Sequence, residues 1–275
     1  MDRVAWESLP GSLKAAIEAR TGPITSVRTA TAGENSPLAA VITTSGGKQF
    51  AKGMPSDHRR VVSQAREVAV ARFVTEVSPR LLWHFDEAGW TVLGYEHVAG
   101  RHADYRPGSL DLDRMVRLLD TLGQVKVLDP GPFKYAEDRW RSYVDDPREA
   151  QIFAGSTLTH SDLMPDNVLV EPGGRAWLID WAWPTLGAAW TDPACWVLRL
   201  MCFGGHTADQ AEQQASRLRA FATADPAHID TFAVASTRLW AEVAKSNNSQ
   251  WTQEMARTAH AWVEHRRVGP RVGLF

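Results

Sequence analysis

Two cysteines in 275 residues leave no room for a disulfide framework, and a chain of this length buries enough surface to stand without one. Cys195 and Cys202 sit seven apart in a stretch that reads as helix, outside any CxxC pattern, and read as a pair of reduced, buried thiols. Charge of one sign is missing too. The 30 basic and 32 acidic side chains nearly cancel, and the first hundred residues hold 11 basic against 10 acidic. Such a balance excludes a polyelectrolyte-driven partner, so neither nucleic acid nor a membrane surface is expected. No apolar run approaches the ~20 residues of a membrane span. The opening MDRVAWESLPGSLKAAIEAR lacks the apolar core of a secretory leader, which points to a cytoplasmic location. Repeats and low-complexity tracts are also lacking, and Tyr is scarce at four. What stands out instead is Trp: 12 in all, five of them between 177 and 196. Trp supplies either core area or the wall of a site for flat or sugar-like ligands.

The first hundred residues read as a short helix over 12–20, strands at 24–31, 38–44 and 49–52, a helix over 56–77, and strands at 80–85 and 90–98. Ser45-Gly46-Gly47-Lys48 suits a hairpin connection. Helical patterning dominates afterwards, over 111–128, around 135–144, and over 208–223, 226–244 and 250–267. Asp192-Pro193 reads as N-cap and first helical residue of a further helix. One hairpin interrupts, VLV at 168–170 and AWLI at 176–179 around the turn EPGGR. The expected organisation is therefore a β-rich lobe over 1–98 and a helical lobe over 99–275.

The chemistry concentrates in LTHSDLMPDNVLVEPGGRAWLIDWAW, 158–183. A hairpin brings its two ends together, so Asn167 and Asp180 are expected to converge. An amide oxygen and a carboxylate there are hard ligands suited to Mg²⁺, which keeps waters and phosphate oxygens as its other ligands. Asp162, five residues before Asn167, would then reach a substrate hydroxyl beside the metal and accept its proton. Taken singly, Asp162, Asp166, Asn167 and Asp180 also suit caps and turns.

His160-Ser161-Asp162, a four-residue gap and Asn167 match the HxDxxxxN catalytic loop of protein-kinase-like folds. Asp180-Trp181-Ala182 stands in the position of the metal-binding DFG motif, departing from it at its second and third residues. GAAWTDPACWVLRL is similar to a Gly-x-x-x-x-Asp-x-Ala segment, with Asp192 in the acidic position. With small Ser161 between His and Asp, the sequence resembles the aminoglycoside phosphotransferase and choline kinase branch. The resemblance implies a bilobal kinase-like α/β fold that binds ATP and Mg²⁺ and moves the γ-phosphoryl group to a small-molecule hydroxyl. Asp162 would be the catalytic base, Asn167 and Asp180 the metal ligands, and His160 and Asp192 supports of the loop. Lys52 would hold the α- and β-phosphates with Glu67 as its ion-pair partner. Gly33, Asn35 and Ser36 occupy the phosphate-loop position, and Glu96 and Val98 the linker that reads the adenine edge.

Candidate acceptor-lining residues are Asp166, Trp183, Trp240 and Glu242. Carboxylates there would suit a polycation such as an aminoglycoside or a basic peptide antibiotic; the aromatics would equally suit a sugar or nucleoside. An antibiotic-inactivating phosphotransferase, monomeric or homodimeric, is the leading expectation. A kinase of an endogenous amino sugar, choline-like alcohol or nucleoside comes second. A nucleotide-binding pseudokinase comes third, since Lys52, Asp162, Asn167 and Asp180 are all present.

Overall fold

A computed structural model describes residues 3–30, 36–128 and 131–268. In chain order the elements are α1 (Gly11–Thr21), β1 (Ile24–Thr29), β2 (Leu38–Thr44), β3 (Gly47–Pro55), α2 (Val61–Ala71), β4 (Leu81–Glu87), β5 (Trp90–Glu96) and β6 (Arg101–His102). Then follow α3 (Asp111–Gly123), β7 (Lys134–Tyr135), α4 (Ala136–Trp140), β8 (Thr157–Thr159), β9 (Val168–Val170), β10 (Ala176–Leu178) and β11 (Thr185–Gly187). Last among the described residues come α5 (Thr191–Gly204), α6 (Ala208–Ala215), α7 (Arg219–Ala222), α8 (Pro226–Ser246) and α9 (Gln250–Val268). Among the described residues no helix is long and apolar enough to cross a membrane.

Two compact units emerge, and they divide differently from the expected cut at 98/99. The first holds residues 1–102 together with 166–183; the second holds 103–165 and 184–275. The reason is strand pairing. The β9–β10 hairpin adds β6 along the edge of β9, with Arg101 opposite Val170, so the hairpin folds with the N-terminal unit despite its late place in the chain.

In the first unit the five-stranded antiparallel sheet has the order β1-β2-β3-β5-β4. Strand periodicity sorts its two faces. Leu38, Ala40 and Ile42 of β2, Ala51 of β3 and Val92 of β5 share a face with Leu9, Leu13 and Ile17, so α1 covers it. Residues directly opposite one another share a face, so Lys52, opposite Ala39 and Leu93, projects from the other side. Its place is mid-strand, since β3 continues to Pro55. Trp83 lies across β5, where a Cβ on Gly94 would fall 2.0 Å from its ring. A bond of 2.7 Å from Trp83 Nε1–H to Gln49 Oε1 fixes the indole. Gly94→Ala should therefore cost about 1–3 kcal/mol. Urea unfolding measures this, and an unchanged midpoint would refute it.

Helix α2 corrects the expected helix over 56–77 in length. It is shortened because Ser56 N–H bonds Gly89 C=O and Leu178 N–H takes Val77 C=O. Its buried residues are Gln64, Glu67 and Val70, rather than the apolar set Val61, Ala65, Val68, Ala69 and Phe73. A buried lysine opposite the helix outweighs apolar patterning there.

The second unit is mainly helical. Phe153, Trp140, Trp190, Phe232 and Trp262 form its aromatic core, with ring centroids 4.9 to 6.3 Å apart. Trp196 is fully buried on α5. In the first unit Trp181 is buried and Trp177 lies under Arg175, 3.7 Å from its guanidinium carbon. Most of the Trp cluster is thus packing. Helix α3 stops at Gly123, short of the expected 128, because Val127 N–H pairs with Ser156 C=O. The segment expected as one helix over 208–223 is two helices, α6 and α7, and around 135–144 a 3₁₀ turn follows α4.

Candidate active site

In the first unit, Lys52 Nζ lies 2.8 and 2.9 Å from the two carboxylate oxygens of Glu67, and 3.0 Å from Asp180 Oδ1. Lys52 and Glu67 are both buried. Burial by itself would lower the lysine's pKa; the carboxylates of Asp180 and Glu67 outweigh it and hold the ammonium above its ordinary value. For Glu67 burial wins, raising the carboxyl against the pull of Lys52. Tyr95 donates its hydroxyl at 2.9 Å to Glu67 Oε2, an oxygen it shares with Lys52, and burial beside that carboxylate keeps the phenol far from ionising.

Asp180 reaches this cluster from the end of the β9–β10 hairpin. Leu178 pairs with Val168, and Ile179 N–H donates to Asn167 C=O at 2.9 Å, so Asn167 and Asp180 flank the hairpin mouth. Asp180 has φ of +63°, a left-handed conformation that aspartate tolerates better than most residues. These donors fit magnesium: one carboxylate and one amide oxygen. Among the described residues no three His, Cys, Asp or Glu side chains gather as a metal cage, so an ion here would need the phosphate and water oxygens that Mg²⁺ prefers.

The second unit carries the other half of the motif. His160 and Ser161 donate their N–H groups to Asp192 Oδ2 and Oδ1 at 2.7 and 2.9 Å. Asp192 is buried, and desolvation raises its carboxyl against those two bonds. It lies inside α5, whose N-cap is Trp190, so it caps no helix of its own; its two oxygens serve the loop. Asp162 N–H points to His160 Nδ1 at 3.3 Å. Ser161, immediately before Asp162, has φ of +66°. Arg199 Nη2 lies 3.3 Å from Asp162 Oδ1, with the Trp240 ring 4.9 Å from the guanidinium carbon. Cys195, on the same helix, has its thiol pushed up to about 12 by burial and by Asp192. Cys202 is raised as well, and both are free and partly buried. Native protein at pH 8 should therefore react with iodoacetamide at least about tenfold more slowly than urea-unfolded protein, since the thiolate is the nucleophile. Equal rates would contradict that.

Gly33 and Asn35 lie outside the described residues, whereas Ser36 is buried and its C=O accepts from Arg3. Glu96 ends β5; its N–H bonds Arg80 C=O and its carboxylate pairs with Arg80. Val98 follows in irregular chain, half-buried. Asp166 and Glu242 are exposed, and Tyr143 bonds Glu242. Trp183 is exposed in the first unit, with the Arg66 guanidinium 5.6 Å above its ring. A cavity of about 440 Å³ in the second unit, lined by Tyr143, Asp145, Asp230, Arg238 and Arg266 among others, includes none of the candidates.

Three participants escaped the sequence reading. Tyr95 and Arg199 carry no motif. Gln64, fully buried one turn before Glu67, has an amide with no hydrogen-bond partner among the described residues. For Tyr95 the available signal was the strand alternation that puts it on the Lys52 face.

No family model and no curated protein sequence matches the chain. Solved structures do. Choline kinase LicA from Streptococcus pneumoniae superposes with a TM-score of 0.65 at 16% identity, over 92% of this chain and 97% of that one. An aminoglycoside phosphotransferase from Alicyclobacillus acidocaldarius gives 0.64 at 13%, over 94% and 96%. A thermostable mutant of aminoglycoside phosphotransferase APH(4)-Ia, in a ternary complex with AMP-PNP and hygromycin B, gives 0.64 at 14%, over 95% and 100%. These likenesses establish the protein-kinase-like fold, with a β-sheet N-terminal part and a helical C-terminal part.

Proposed function

We propose that the protein transfers the γ-phosphoryl group of ATP to a hydroxyl of a small molecule, with Mg²⁺ as the metal. The observation that carries this reading is the buried Lys52–Glu67 pair with Asp180 at 3.0 Å from the same ammonium. A lysine held charged in the interior is an anion site prepared in advance. In this reading Lys52 binds the α- and β-phosphates, Glu67 and Tyr95 aim Lys52, and Asn167 and Asp180 hold the metal. The ion, when bound, neutralises charge on the phosphate oxygens. Asp162 orients the acceptor hydroxyl and takes its proton, on a loop fastened by Asp192. The complexes of structural neighbours with AMP, and with AMP-PNP and hygromycin B, support a nucleotide and a small-molecule acceptor.

Coupled ADP release tests this, wild type against Asp162→Ala, over aminoglycosides, peptide antibiotics, amino sugars, nucleosides and choline. Acceptor-dependent turnover should fall about 10²–10⁴-fold in the variant. Turnover that survives the substitution would remove Asp162 from the role. The antibiotic reading draws on the aminoglycoside phosphotransferases among the neighbours. A second reading is a kinase of an endogenous alcohol, for which the cation beside Asp162 favours a nucleoside over an amino sugar or a choline-like alcohol. Protection of a sensitive host against any antibiotic would decide for the first.

A further inference from the structure

Arg199 is an under-bonded cation in the interior of the second unit. It is 5% exposed. Of its guanidinium donors, Nη2 meets Asp162 Oδ1 through one long bond of 3.3 Å, and among the described residues Nη1 meets only the soft sulfur of Met255 at 3.1 Å. Nε is buried with no hydrogen-bond partner among the described residues. Trp240 stacks on the group at 4.9 Å. A buried guanidinium normally fills its fork with oxygens, because each unmet donor carries its full desolvation penalty. Arg199 instead keeps donor capacity beside the carboxylate assigned to receive the acceptor's hydroxyl.

We infer that Arg199 is an acceptor-binding residue, and that the acceptor is an oxygen-rich neutral or anionic alcohol rather than a polycation. The inference rests on the phosphotransfer reading above. A hydroxyl bonded to Asp162 lies within about 5–6 Å of the Arg199 guanidinium, given ordinary hydrogen-bond lengths. A lone-pair oxygen on the neighbouring carbon, whether hydroxyl, carbonyl or carboxylate, then reaches the unused donors. An ammonium in that place meets like charge in a desolvated setting. Arg139, half-buried and electrostatically coupled to Asp162 and Asp192, adds a second cation to the same surroundings.

The test is ADP release by the full chain with Mg-ATP over three acceptor arms: neutral sugars and polyols, hydroxy acids, and aminoglycosides. The expected result is a kcat/KM at least about tenfold higher in one of the first two arms, which also tells neutral from anionic acceptors. Arg199→Lys, which keeps charge but loses the fork, should raise the acceptor KM about 10–100-fold and leave the KM for ATP within twofold. Arg199→Ala should regain part of its turnover when guanidinium ion is added, a rescue that a purely structural role would not give. Should Arg199→Ala fail to fold, the Arg199→Lys split still decides. An aminoglycoside as best acceptor, or an unchanged acceptor KM in Arg199→Lys, overturns the inference and leaves phosphotransfer standing. No ADP release in any arm overturns the phosphotransfer reading, and this inference with it.

Discussion

Lys52→Met is expected to lower phosphoryl transfer about 10²–10³-fold and to destabilise the first unit by about 3–5 kcal/mol. The catalytic part follows from removing a preorganised charge aimed at phosphate. The stability part follows from what remains: Glu67, 4% exposed, and Asp180 within 3.0 Å of the vanished ammonium, two carboxylates with their shared counter-charge gone. The two effects separate in a double variant. Lys52→Met with Glu67→Leu removes both charges of the buried pair and should recover most of the lost stability, since an apolar pair can replace a buried ion pair at little cost. Turnover should stay low. Denaturant unfolding and ADP release read the two quantities; if the double variant were as unstable as the single, the pair would not be the cause.

The sign of the pH dependence follows from the same geometry. Lys52 has its pKa raised above the ordinary 10.5. Its contribution is therefore whole below the unfolded-chain value and is lost only as pH climbs through the higher folded one. Stability and rate between pH 6 and 9 should show no Lys52 limb.

Lys52 and Glu67 were legible only through the resemblance to the kinase-like branch, which implies a lysine on the third strand and an acidic partner on the helix that follows. The hairpin mouth was legible from the residues themselves, because two short strands and the turn EPGGR leave little freedom in register. The facing of α2 was not. Its apolar residues spell one stripe, but the inward positions went to Gln64 and Glu67, since a buried ammonium opposite must be answered. The unit boundary was hidden as well: β6 is two residues long, and nothing in Arg101-His102 announces pairing with Val170 and Leu169. Arg199 was hidden most completely. In a helix that is buried nearly all round, a charged residue reads as an exposed turn, and only its contacts with Asp162, Met255 and Trp240 show otherwise.

Asp192→Ala should cost about 2–5 kcal/mol and bring turnover close to that of Asp162→Ala, although Asp192 would never touch substrate. Both its oxygens are spent on N–H groups, and removing them orphans two donors at once, each worth about 1–3 kcal/mol when buried. One of those donors belongs to Ser161, whose φ of +66° costs on the order of 1–3 kcal/mol for a residue with a Cβ. Without Asp192 nothing offsets that strain, and the loop should relax, carrying Asp162 with it. Asp192→Asn is the finer probe: its amide keeps one acceptor oxygen and turns a donor toward the other N–H, so turnover should fall while less stability is lost. Glycine adopts positive φ freely. If holding Ser161 in its left-handed conformation is what Asp192 does, Ser161→Gly placed in the Asp192→Asn background should restore part of the lost turnover. Ser161→Gly alone should change little. A double variant no faster than Asp192→Asn would mean that Asp192 acts on the site by some route other than the backbone of this loop.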